Sequence, residues 1–88
     1  MVAHIFVSGF VQNVGYRQFI KRIAYEIGLT GWVRNLPDGR VEALFQGPKD
    51  KIEEAIEESN KGPFLSEVKD VVVEWEEERE KLGNFVIE

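Results

Sequence analysis

The chain has no cysteine and a single histidine, His4, in 88 residues. The first absence removes disulfides, thiolate-held zinc and thiol nucleophiles together, so a short chain must hold itself by its core alone. The second leaves little imidazole chemistry to consider. His4 sits on a strand near the chain start and reads as a sheet-face residue, not as a ligand or general base. No apolar run approaches the roughly 18 to 20 residues that a membrane-spanning helix needs. The opening "MVAHIFVSGF" lacks both the basic region and the long apolar stretch of a signal peptide, and the expected location is therefore the cytoplasm. Positive charge is also scarce: 11 Lys and Arg stand against 16 Asp and Glu, a formal net charge of −5. The acids gather in "DKIEEAIEES" and "VEWEEEREK", a field that repels nucleic acid and anionic lipid. An anionic ligand must then be gripped locally, against that field.

What is present suffices for one core. With 43% hydrophobic residues, the chain is expected to form a single domain over residues 1–88, with no repeat or linker. "AHIFVSG", Ala3 to Gly9, alternates as a strand, with Ala3, Ile5 and Val7 on one face and His4, Phe6 and Ser8 on the other. From Arg17 to Ile27 the apolar residues recur at helical spacing, and Gly28 supplies the left-handed residue that closes a helix. "GWVRNL" and "RVEALFQG" flank "PDG", a turn sequence in which Gly39 takes positive φ, and so form a hairpin. Ile52, Ala55, Ile56 and Ser59 share a stripe in a second helix over 49–60, ended by Gly62 and Pro63. "VKDVVVEWE" is a further strand and "NFVIE" a short terminal one. The order is βαββαβ with a small final strand. It predicts an α+β, ferredoxin-like sandwich: an antiparallel sheet with both helices on one face. Trp32 and Trp75 read as sheet packing, and the run Glu76 to Glu80 as a solvated turn.

The stretch "FVQNVGYRQF" puts seven uncharged residues before one cation, Arg17, at the start of the first helix. A helix N-terminus exposes backbone N–H groups without intrahelical partners, and its dipole favours negative charge. Gly9 and Gly15 permit close backbone approach, and Asn13 is the next residue type to enter the left-handed region. The amides of Gln12, Asn13, Val14, Gly15, Tyr16 and Arg17 can thus converge on an anion. Arg17 adds a planar fork of donors that fits phosphate oxygens. The same local pattern also describes an ordinary connection whose glycines only make turns and whose arginine only caps or solvates. Alternation in the hairpin places Asn35 with Val33, on the side of Arg17 if Val33 faces the helices, where an amide can hold water by donor and acceptor.

Two blocks, "VSGFVQNVGYR" and "IGLTGWVRNLPDGRVEALFQG", together with "GPFLSEV" and "NFVIE", resemble the acylphosphatase family over essentially the whole chain. The resemblance implies hydrolysis of acyl phosphates to a carboxylate and inorganic phosphate, without metal or other cofactor. It implies that Arg17 binds the phosphate and Asn35 positions the attacking water. The expected partners are a small acyl phosphate and inorganic phosphate as product and competitive inhibitor, with neither nucleic acid nor membrane, and the chain is expected to act as a monomer. Asn13 stands where the family usually has glycine, and Tyr16 where it often has phenylalanine, an exchange read as packing. Two other readings share the element order. An RNA-binding module would need a basic face and stacking aromatics on its central strands, which "RVEALFQG" and the net charge do not supply. An anion-binding domain of the same family without turnover would keep the cradle and lack hydrolysis; the presence of both Arg17 and Asn35 argues against it.

Overall fold

The computed structural model describes residues 1–77 and 80–88. Its elements follow the expected order: β1 (Val2–Phe10), α1 (Tyr16–Ile27), β2 (Thr30–Asn35), β3 (Val41–Gln46), α2 (Lys49–Lys61), β4 (Glu67–Glu76) and β5 (Phe85–Ile87). The sheet order is β4-β1-β3-β2-β5. Strand β3 lies between β1 and β2, and β1 lies between β3 and β4, so two crossover units interleave as the ferredoxin-like order requires. Four strands pair antiparallel, whereas β5 runs parallel to β2, with Gly31, Trp32 and Val33 opposite Phe85, Val86 and Ile87. The sheet is therefore mixed, because the connection after β4 carries the chain to the far edge before it pairs again. No helix among the described residues is long and apolar enough to cross a membrane.

Strand alternation decides which residues meet the helices. Ala3, Ile5, Val7, Val33, Val41, Ala43 and Phe45 are fully buried under Ile20 and Ala24 of α1 and Ile52 and Ala55 of α2. Complete burial of a Val, Ile or Phe side chain contributes about 1.5 to 3 kcal/mol, and this layer fixes where the strand ends lie. Ile56, on the edge of the α2 stripe, is only partly buried. Trp75 falls on the inner face at the sheet edge, under the Lys49 ammonium at 5.6 Å, and is 39% exposed.

The opposite face of the sheet carries a polar cluster. His4 donates through Nε2 to Glu42 Oε2 at 2.5 Å, and Arg34 donates through Nε to Glu42 Oε1 at 2.6 Å. Burial works against the Glu42 charge, but the hydrogen bonds from Arg34 and His4 outweigh it and hold the carboxyl below its ordinary range. The Arg34 guanidinium also lies 4.9 Å from the Trp32 ring centre. His4 is a sheet-face residue as expected, with carboxylate partners that adjacent sequence does not reveal. The expected turn over Glu76 to Glu80 falls in part on residues 78 and 79, outside the described residues.

Candidate active site

Strand β1 ends in an irregularity between Ser8 and Gly9, where the register against β4 shifts. Gly9 has φ 125°, and a Cβ there would stand 2.2 Å from the carbonyl oxygen of Glu67. The close approach that requires glycine is thus to β4, not to a ligand. Pairing resumes past the shift, with Gly9 opposite Val68 and Phe10 opposite Glu67, and the loop to α1 leaves the sheet after Phe10.

That loop is fixed at several points. Val11 is buried in the core. The Gln12 side-chain amide donates from Nε2 to the carbonyl oxygens of Leu36 (2.8 Å) and Arg40 (2.9 Å), tying the loop to the base of the β2–β3 turn. Asn13 takes φ 62° and is the one non-glycine residue with positive φ among those described; Gly15 takes φ 78°. These left-handed positions on either side of Val14 curl the backbone so that successive N–H groups can share one anion. The carbonyl of Gly15 accepts the first helical bond, from Phe19 N at 3.0 Å. The amides of Tyr16, Arg17 and Gln18 precede it in the first turn, which contains no acidic residue.

Tyr16 anchors this turn from below. Its ring is buried, and its hydroxyl donates to the main-chain carbonyl of Ser59 near the end of α2 at 2.7 Å. Burial holds the phenol well above its ordinary pKa, with the bond to Ser59 only partly offsetting it, so the group stays a donor. The residue is therefore more than packing: it satisfies a carbonyl that the last turn of α2 would leave unpaired. Tyr16→Phe should cost about 1 to 2 kcal/mol of stability in urea unfolding, since it strands a buried acceptor.

Arg22, Arg34 and Arg40 each pair with a carboxylate, Glu26, Glu42 and Asp38 respectively. Arg17 instead donates through a terminal guanidinium nitrogen to the main-chain oxygen of Glu88 at 3.2 Å. The Glu88 amide in turn donates to Val33 O at 2.8 Å, so the terminal strand reaches back to brace the cation. Across from it, Asn35 ends β2 on the Val33 face. Its Oδ1 is buried and has no hydrogen-bond partner, the one such side-chain atom among the described residues. A stranded acceptor of this kind costs about 1 to 3 kcal/mol, which a bound donor would recover.

A small pocket of about 80 Å3 brings these groups together, lined by Asn13, Gly15, Tyr16, Arg17, Gln18 and Asn35 above Val11 and Ile87. Of the residues singled out in the sequence, Gln12 and Val14 do not line it: the Gln12 side chain is spent on the hairpin, and Val14 packs toward the core. Gln18, Val11 and Ile87 were not singled out. The place of Gln18 in the first helical turn could have indicated it, whereas Ile87 arrives only through the parallel pairing of β5. The lining contains no carboxylate, imidazole or thiol. It offers donors for an anion and, in the buried Oδ1 of Asn35, an acceptor for water.

The family model for acylphosphatase matches residues 3–87. An acylphosphatase of Trichormus variabilis is 54% identical over 74 residues, covering 84% of this chain and 73% of that protein. One from Syntrophobacter fumaroxidans is 45% identical over 85 residues, covering 97% of this chain and 88% of its own length. Among solved structures, the acylphosphatase of Bacillus subtilis superposes with a TM-score of 0.94 at 38% identity, covering 99% of this chain and 98% of that one.

Proposed function

The chain belongs to the acylphosphatase family and is an enzyme that hydrolyses acyl phosphates; from that premise we propose that Arg17 and the 12–17 backbone hold the phosphoryl group while Asn35 directs water onto it. The observation that carries this reading is the unpartnered, buried Oδ1 of Asn35 in the same pocket as Arg17. Oδ1 accepts a hydrogen bond from water and thereby turns an oxygen lone pair toward phosphorus. The water oxygen bonds to phosphorus, and the bond from phosphorus to the acyl oxygen breaks. The electron pair leaves on the carboxylate, and the water proton passes to a phosphoryl oxygen.

This reaction suits a site with no strong base. The departing acid has a pKa near 4, so the leaving group needs no protonation at neutral pH. Phosphoryl transfer then depends mainly on alignment and on charge stabilisation. Peptide N–H groups and a guanidinium supply that stabilisation without reorganising, and the lining residues include no ligand set for a metal ion. The enzyme in this reading is metal-independent and monomeric, and it is competitively inhibited by inorganic phosphate, which occupies the same donors.

Benzoyl phosphate provides the test. Benzoate release should continue at the same rate in excess EDTA, and inorganic phosphate should raise KM without changing kcat. Loss of activity with the chelator, or phosphate inhibition that lowers kcat alone, would overturn the scheme.

A further inference from the structure

We propose that the groove between α1 and the Gly62–Ser66 turn is the acyl-group site, with Phe64 as its selectivity residue for aromatic acyl phosphates. This rests on the phosphate and water assignments above and adds where the leaving half of the substrate lies. An open groove of about 740 Å3 adjoins the phosphate pocket; Gly15 and Gln18 line both. Beyond that shared edge its walls are Val14, Phe19, Pro63 and Phe64, with Arg22 on the helix side. Arg22 lies one turn after Gln18, on the same face of α1, so the groove runs away from the cradle along the helix.

The direction follows from the sheet. Asn35 approaches the cradle from β2, whereas the turn carrying Phe64 leads into β4, and β1 and β3 separate those two strands. In-line displacement puts the entering water and the departing oxygen on opposite sides of phosphorus. With water held on the β2 side, the acyl oxygen departs on the β4 side, where the groove begins.

Phe64 is 99% exposed, so no protein atom covers its ring. Its position is nevertheless built. Ser66 donates to Pro63 O from both its amide (2.9 Å) and its hydroxyl (2.8 Å), closing the turn around Phe64. Gly62, at φ 67°, leaves room for that hydroxyl, which a Cβ would meet at 2.2 Å. On the facing wall the Arg22 guanidinium lies 5.5 Å from the Phe19 ring centre, a planar cation on which an aromatic ring stacks well. Arg22 and Phe64 both line the groove that begins at the cradle, and an aromatic acyl group lying in it would have both to pack against.

The test compares benzoyl phosphate with acetyl phosphate in the wild type, Phe64→Ala and Phe64→Tyr. Phe64→Ala should lower kcat/KM for benzoyl phosphate about tenfold while acetyl phosphate, which has no ring to stack, changes by less than about twofold. Phe64→Tyr should restore the preference, inhibition by phosphate should be unchanged, and Tyr25→Ala, an exposed aromatic outside the groove, should affect neither substrate. An unchanged ratio of the two kcat/KM values in Phe64→Ala would overturn the acyl site and leave the phosphate and water assignments standing. A wild type that releases neither carboxylate would overturn those assignments and this one together.

Discussion

Arg17→Ala should lose about 10³-fold or more in kcat/KM toward benzoyl phosphate and should no longer be inhibited by millimolar phosphate. Loss of one preorganised donor from a site of developing charge costs about 3 to 4 kcal/mol. The guanidinium presents several donors in one plane and a full charge, so its removal exceeds that figure. The protein as a whole carries a net charge of −5, which makes the local cation matter more to a dianion, not less. Arg17→Lys separates charge from geometry: an ammonium keeps the charge but not the fork, and should recover phosphate affinity better than it recovers turnover. Stability should hardly move, since the bond from Arg17 to Glu88 is exposed. Steady-state kinetics, a phosphate inhibition series and a melting curve on each variant read all three effects.

Two residues of the loop, Asn13 and Tyr16, act over different ranges of sequence. Asn13 occupies the left-handed conformation that glycine would adopt freely, and the pocket remains lined by it. Its cost is a modest conformational one. Tyr16 contributes a tertiary hydrogen bond to Ser59, across 43 positions of sequence, that no local pattern contains.

That contrast explains what could be read from the sequence. Periodicity places helix α1 over Arg17 to Ile27, and it runs from Tyr16 to Ile27; the alternation of β4 starts at Val68, and the strand begins at Glu67. Such boundaries follow from periodicity and from turn residues such as Gly28 and Gly39, which act over a few positions. The shared side of Arg17 and Asn35 was also legible, because a two-residue period fixes the face of Asn35 once Val33 is known to be buried. Long-range partners were not. His4 meets Glu42 across 38 positions, and Gln12 reaches Leu36 and Arg40. The parallel placement of β5 depends on where a connection carries three residues, which their own pattern cannot specify. Consequently the sequence located the chemical groups of the pocket better than the scaffold bonds that hold them in place.

Asn35→Ala should lower kcat by about 10² to 10³ while leaving phosphate inhibition within about twofold of the wild type. The reason lies in the division of labour across the pocket. The buried, unpartnered atom of Asn35 is an acceptor, Oδ1, which repels phosphoryl oxygens and suits water, so its loss removes alignment of the nucleophile and little of the grip on phosphate. Stability should stay level or rise, because the substitution deletes a buried acceptor whose unpaired state costs about 1 to 3 kcal/mol in the free enzyme. An enzyme made slower and no less stable by one change indicates a residue kept for the reaction and not for the fold. Asn35→Asp sharpens the point: it keeps an oxygen at the same distance but sets a negative charge beside the substrate dianion, so it should weaken phosphate inhibition as well as turnover. Arg17→Ala and Asn35→Ala thus move different quantities. If Asn35→Ala, folded and binding phosphate normally, released benzoate at the wild-type rate, water would have to be aligned by some other group, and the unpartnered Oδ1 would have no part in the reaction.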